Sequence, residues 1–265
     1  MKRKKANQAN PKVIARKIAQ GHGQGEGENY IPWLSRLDFS SNGIYHRMKS
    51  WKCGRRVIEL FSTLEYEVAL LLDWRDDVVV YYEQFPLHSR EETAEIAREL
   101  GVKPPSVRGV PIVMTSDFRI RLKNSFEIYS VKPAALITER VLEKFLIEKT
   151  YWEKRNTPCR LLTDEQLPKS LIASLRKIRP EYHLKLAPNV VDQAELVLRH
   201  ELERKATMVA AAGQVDALLG LEPGSGLVIL KHLLARKKLP LDPLHTLNFS
   251  EPLFTLWKSY ISAHK

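Results

Sequence analysis

Two alternating runs separated by a short polar connector constrain this chain of 265 residues more than any other feature. The first run is Thr115-Ser116-Asp117-Phe118-Arg119-Ile120-Arg121-Leu122. The second is Phe126-Glu127-Ile128-Tyr129-Ser130-Val131-Lys132-Pro133, and Lys123-Asn124-Ser125 joins the two. Alternation with a period of two marks half-buried strands, and a polar connector of this length predicts an antiparallel hairpin. Closure through Asn124 and Ser125 places Asp117 directly across from Lys132, Phe118 across from Val131, and Ile120 across from Tyr129. One face is then apolar, while the other gathers Asp117, Ser130 and Lys132; a slip of one residue would misalign both sets.

Upstream, Ser62 to Trp74 has helical spacing, with Leu64, Val68, Leu71 and Leu72 apolar and Ser62 as N-cap. Val78 to Leu87 is β-branched and aromatic and reads as a strand. Glu91 to Leu100 reads as a charged helix closed by Gly101. Beyond the hairpin, Thr138 to Arg155 reads as an amphipathic helix with Leu142, Phe145, Leu146 and Trp152 inward, and Cys159 to Asp164 as a closing strand. The class these elements imply is α/β, a mixed sheet flanked by helices.

Three charged residues fall on this frame: Glu65 on the first helix, Asp117 opening one hairpin strand, Lys132 closing the other. Two carboxylates offer hard oxygen ligands to Mg²⁺, with Mn²⁺ able to substitute, and a lysine beside them can position or activate water and steady phosphate charge. That combination points to divalent-metal phosphodiester hydrolysis. Bland alternatives stand beside it. Ser62 and Glu65 have the spacing of a capping box, and Asp117 with Lys132 would also make an exposed cross-strand ion pair. Glu143 and Glu148 read as solvated positions on the outer face of the Thr138 to Arg155 helix.

The formal net charge of +11 is unevenly spread. Lys and Arg outnumber Asp and Glu by 12 to 3 in residues 1–55 and by 14 to 9 in residues 166–265, but are outnumbered 16 to 19 between them. Basic ends suit a polyanion such as double-stranded DNA, and an acidic middle suits a cation. No apolar run is long enough to span a bilayer. Two cysteines without zinc or disulfide spacing predict a reducing, cytoplasmic setting. The eight histidines are scattered without triad or metal spacing and read as surface or structural.

The organisation expected is a basic, glycine-rich arm over 1–30, a catalytic domain over 31–165 and a helical domain over 166–265. Lys2, Arg3, Lys4, Lys5, Lys12, Arg16 and Lys17 would let the arm track DNA, and Gly21-His22-Gly23-Gln24-Gly25-Glu26-Gly27 would keep it flexible. In the last third, helices are expected over Leu167 to Ile178, Val190 to Arg204, Gln214 to Leu219 and Leu227 to Lys238, the last with Ser225 as N-cap. The turn before that helix, and its basic residues Lys231, Arg236, Lys237 and Lys238, fit a helix-turn-helix or winged-helix module that holds DNA. A helical module that docks a protein partner is the alternative.

Several separated segments resemble one family, in order. They are Gly23-Gln24-Gly25, Tyr30-Ile31-Pro32-Trp33-Leu34, Ser62-Thr63-Leu64-Glu65, Tyr82-Glu83-Gln84-Phe85-Pro86-Leu87, Met114-Thr115-Ser116-Asp117-Phe118, Val131-Lys132-Pro133-Ala134-Ala135, Leu142-Glu143-Lys144 and Tyr151-Trp152. From about residue 12 to about residue 165 the chain is similar to the TnsA family, the endonuclease subunits of heteromeric, Tn-seven-type transposases. The resemblance implies a restriction-endonuclease-like core of the PD-(D/E)xK type, a winged-helix-like C-terminal domain, and catalytic positions at Glu65, Asp117 and Lys132. It also implies an integrase-like partner subunit, TnsB, and an AAA+ regulator, TnsC. In that family the endonuclease cuts the non-transferred strands at the 5′ ends of the element. One position departs from the pattern: Ser130 stands where Glu or Gln is usual. Ser130 through water, the Val131 carbonyl, or Glu148 on the following helix would then supply the remaining oxygen. A non-catalytic DNA-binding or assembly factor with a decayed nuclease core is the alternative that Ser130 favours.

Overall fold

The computed structural model describes residues 9–38, 44–202 and 204–257. The chain divides into two compact units, Met1–Leu167 and Pro168–Lys265.

The first unit is built on a four-stranded mixed sheet. After helix α1 (Pro11–Ala19) come a small hairpin of β1 (His46–Lys49) and β2 (Val57–Leu60), helix α2 (Thr63–Trp74), strand β3 (Val78–Leu87) and helix α3 (Arg90–Glu99). A two-residue pair, β4 (Ser106–Val107) and β5 (Val110–Pro111), precedes β6 (Met114–Leu122), β7 (Phe126–Val131), α4 (Glu139–Glu153) and β8 (Cys159–Leu162). The sheet order is β3-β6-β7-β8, antiparallel for the first two pairings and parallel for the last. A parallel pair needs a crossover, and α4 supplies it. That helix buries Ile147, Tyr151 and Trp152 against Leu87, Ile96, Ala97, Ile128 and Cys159. Trp152 donates its indole N–H to Ser116 Oγ at 2.9 Å, so the ring is fixed as well as buried. Leu142 and Leu146, expected inward on α4, are 48% and 41% exposed, and Glu148 takes a buried place instead.

The glycine-rich start is not a flexible arm over residues 9–30. Tyr30 is buried and donates to the Glu83 carbonyl at 3.0 Å, and its ring packs edge-on against Tyr82. The glycines allow close approach there. A Cβ on Gly25, whose φ is +87°, would lie 2.3 Å from the Asn29 carbonyl oxygen. Gly25→Ala is therefore expected to destabilise the first unit by about 2 kcal/mol or more, since left-handed backbone strain adds to that clash. A melt followed by tryptophan fluorescence measures it.

The second unit is helical among the described residues. Its helices are α5 (Lys169–Ile178), α6 (Pro188–Glu201), α7 (Met208–Leu219) and α8 (Ser225–Ala235). Its one β contact among those residues is an isolated bridge between Thr207 and Pro252. No wing hairpin is present there. Ser225 is not the N-cap of α8: Gly224 holds that place at φ +93°, and the Asp216 carboxylate accepts the Gly224 and Gly226 N–H groups. No described helix is long and apolar enough to cross a membrane.

Candidate active site

Glu65 sits in the first turn of α2, where it joins in the cap that the sequence predicts. Ser62 Oγ accepts the Glu65 N–H at 3.1 Å and donates to Glu65 Oε1 at 2.9 Å; Oε2 accepts the Phe61 N–H at 3.0 Å. The cap fixes the rotamer, and the carboxylate thus fixed lines a cleft with Asp117, Ser130, Val131, Lys132 and Glu148. Capping and lining the cleft are one arrangement.

The hairpin forms, but in a different register. Phe118 pairs with Tyr129, Ile120 with Glu127 and Arg121 with Phe126, and the Leu122 N–H donates to the Ser125 carbonyl. The turn therefore closes over Lys123-Asn124 rather than Asn124-Ser125, and Asp117 is not directly across from Lys132. The displacement is two residues along β7. An even shift preserves which side chains share a face, so the polar and apolar sets stay sorted. Beyond Phe118 and Tyr129 the ladder stops, and Asp117 Oδ2 accepts the Val131 N–H at 2.6 Å. The carboxylate stands in for a strand carbonyl, which anchors it where β6 and β7 part.

Glu148 is buried on α4, not solvated, and its Oε1 has no hydrogen-bond partner. Glu143, by contrast, pairs with Arg140 at 2.6 Å. Burial pushes the Glu148 carboxyl up to about 8, with the Ser116 hydroxyl opposing, Asp117 adding to the rise and the Ser130 hydroxyl also opposing. Burial, then the neighbouring Asp117 charge, raises Glu65; burial raises Asp117, which the Val131 N–H, Gln84 and Lys132 draw back down. Three acids around one cleft, each harder to ionise than in water, make a place that a cation would relieve.

This has a stability consequence in the ion-free chain. A folded-state pKa raised above the unfolded value means that the native state holds a proton the unfolded chain releases, so stability falls as pH rises between about 4.5 and 8. In EDTA, Glu148→Gln is expected to gain melting temperature relative to wild type as pH goes from 5 to 8. Parallel melting curves across that range would show Glu148 ionised at no cost.

Among the described residues, no three His, Cys, Asp or Glu side chains already stand in position around a metal ion. Mg²⁺ does not require it. The ion keeps several waters and needs one or two protein carboxylates. The orphaned Glu148 oxygen, in the cleft that Glu65 and Asp117 also line, makes the donor set hard and oxygen-only, which fits.

Sequence comparison decides the family. Residues 75–164 match the model described as TnsA-like endonuclease N terminal, and residues 168–242 match the model described as TnsA endonuclease C terminal. Over 241 residues the chain is 38% identical to Transposon Tn7 transposition protein TnsA of Escherichia coli, covering 87% of this chain and 86% of that one. The chain belongs to the TnsA endonuclease family. Asp117, Ser130, Val131, Lys132 and Glu148 lie inside the first match, while Glu65 lies ahead of it. The mixed sheet flanked by helices is consistent with a restriction-endonuclease-like core for this TnsA homologue.

The basic residues named from the sequence divide into groups. Lys2, Arg3, Lys4 and Lys5 lie outside the described residues. Lys12 and Arg16 are exposed on α1, but Lys17 is turned inward, donating to the Trp33 carbonyl at 2.7 Å and pairing with Asp38 at 2.8 Å. Lys231 is half-buried 3.5 Å from Glu181, whereas Arg236, Lys237 and Lys238 are exposed just beyond α8. In this chain, Lys17 serves packing. The residue that sequence reasoning missed is Gln84, whose amide reaches both Glu65 and Asp117. Its signal was a polar pair, Glu83-Gln84, inside the otherwise apolar run of β3.

Proposed function

We propose that this chain is the metal-dependent DNA endonuclease subunit of a transposase. It cuts the non-transferred strands at the 5′ ends of the element while an integrase-like TnsB-type subunit cuts and joins the 3′ ends, under a TnsC-type AAA+ regulator. The observation that carries the reading is the convergence of Glu65, Asp117 and Lys132 on one cleft from three separate elements, in a chain of the TnsA family.

Glu65 and Asp117 would hold Mg²⁺ or Mn²⁺, with the Val131 carbonyl and Glu148 as further oxygens and Ser130 acting through water. Bound there, the cation would supply Lewis acidity toward a phosphoryl oxygen and make its water more acidic. Lys132, just beyond β7, orients the attacking water and donates to the scissile phosphate as negative charge develops. The Asp117 carboxylate, tied to the Val131 N–H, holds its position while this occurs. Lys12, Arg16, Arg236, Lys237 and Lys238 contact phosphates, which sets position on the duplex rather than sequence. The second unit, helical among its described residues, acts as the DNA- or partner-binding part. The work is done in the bacterial cytoplasm, on the nucleoid. Glu148 bears on the decayed-core alternative, because its buried carboxyl offers the carboxylate oxygen that a serine at position 130 lacks.

Strand-break mapping on transposon-end DNA tests the reading. With the integrase-like subunit and Mg²⁺ present, wild-type chain is expected to produce 5′-strand breaks that EDTA abolishes. If the chain supports assembly and 3′ breaks yet leaves 5′ strands intact, the assembly-factor reading replaces it.

A further inference from the structure

Gln84 stands where the two carboxylates meet. It lies on β3 between the ladder pairs Glu83–Phe118 and Phe85–Ser116, opposite Asp117, and is 4% exposed. Its φ is +48°, a left-handed conformation that a glutamine in a strand rarely adopts. The amide Nε2 lies 3.4 Å from Asp117 Oδ1 and 3.5 Å from Glu65 Oε2. The amide oxygen accepts from Thr115 Oγ at 3.2 Å, which sets the nitrogen end toward the acids. The backbone is held as well, since the Gln84 carbonyl accepts the Trp33 N–H at 3.3 Å.

A primary amide carries two N–H groups, so one side chain has a donor for each carboxylate. Two buried acids without such a donor repel each other and either separate or take up protons. A glutamate in the same place would add a further negative charge, and a serine would be too short to span both. The unusual backbone supports the same conclusion, because strain of this kind persists only where the surroundings over-determine it.

We propose that Gln84 is a positioning residue of the cation site. Its amide spaces the Glu65 and Asp117 carboxylates so that each presents an oxygen to one divalent cation. The inference rests on the endonuclease reading, under which those two acids hold the ion.

Two substitutions separate positioning from packing. Gln84→Met keeps the volume and removes both donors. Gln84→Asn keeps an amide and suits a left-handed backbone, but its shorter side chain draws the amide back from the acids. Calorimetric titration of the full chain with Mn²⁺ is expected to show affinity reduced about tenfold or more in both variants, as for other residues that orient metal ligands. The Mn²⁺ concentration giving half-maximal 5′-strand cleavage, measured with the integrase-like subunit, rises in step. Gln84→Asn melts within a few degrees of wild type, and it decides the matter should Gln84→Met fail to fold.

Asp117→Ala, titrated alongside, keeps the two claims apart. If it loses Mn²⁺ binding and cleavage while the Gln84 variants stay within threefold of wild-type affinity, the positioning role is overturned and the endonuclease reading stands. Mn²⁺ binding and 5′ cleavage surviving in Asp117→Ala would overturn both. A threefold or greater weakening in the Gln84 variants, with Asp117→Ala inactive, supports the proposal.

Discussion

Asp117→Ala is expected to lower 5′-strand cleavage of transposon-end DNA by at least about a thousandfold, while 3′ breaks made by the partner subunit persist. The magnitude follows from what the carboxylate does. As a ligand it would place a cation whose transition-state stabilisation is worth several kcal/mol, and each 1.36 kcal/mol is about tenfold in rate. The substitution also frees the Val131 N–H, which now donates to Asp117 at 2.6 Å where the ladder between β6 and β7 has stopped. That bond lies at a partly exposed cleft, so a water can replace the lost acceptor, and the fold is expected to survive. Persistent 3′ breaks in the same reaction are the internal control for assembly. Undiminished 5′ breaks would remove Asp117 from the chemistry.

The second large effect concerns stability. Arg56 and Glu83 form an ion pair with side chains only 8% and 1% exposed, and the guanidinium also donates to the Tyr81 carbonyl at 3.2 Å and lies over the Tyr30 ring. Arg56→Met leaves the Glu83 carboxylate buried without its cation. Breaking such a pair from one side costs about 3–5 kcal/mol, because the surviving charge is not rehydrated. For a unit of this size that corresponds to roughly 10 °C in melting temperature. Adding Glu83→Gln should recover much of the loss, since it removes the stranded charge. Four of the five tryptophans, Trp33, Trp51, Trp74 and Trp152, lie in the first unit, so fluorescence reports mainly on its unfolding. A single Arg56→Met variant as stable as wild type would show that Glu83 finds water or another partner. Glu83 immediately precedes Gln84, so the same variant should also weaken cation binding.

Much of the first unit was legible in order and type. The helix from Ser62, the strand ending at Leu87, the hairpin and the helix beyond Pro133 each carry their own periodicity and caps, and these local signals agree with the tertiary outcome. The second unit was legible only as helices. The register was not legible, because Lys123, Asn124 and Ser125 all tolerate a turn, so local chemistry does not choose between closures two residues apart. The inward residues of α4 were misread for a related reason. Periodicity favoured Leu142 and Leu146, whereas the cleft draws Glu148 inward and leaves both leucines exposed.

By itself, then, the sequence determined the residue types of the site, their order, and the elements that bear them, because spacing, capping and strand alternation are properties of neighbouring residues. Only the tertiary structure decided that Glu65, Asp117, Lys132 and Glu148 share one cleft, that Lys17 is spent on Asp38, and that Gln84 bridges two acids from a third element. These depend on strand pairing and burial between residues far apart in the chain, and burial is what makes the gathered carboxylates harder to ionise than in water.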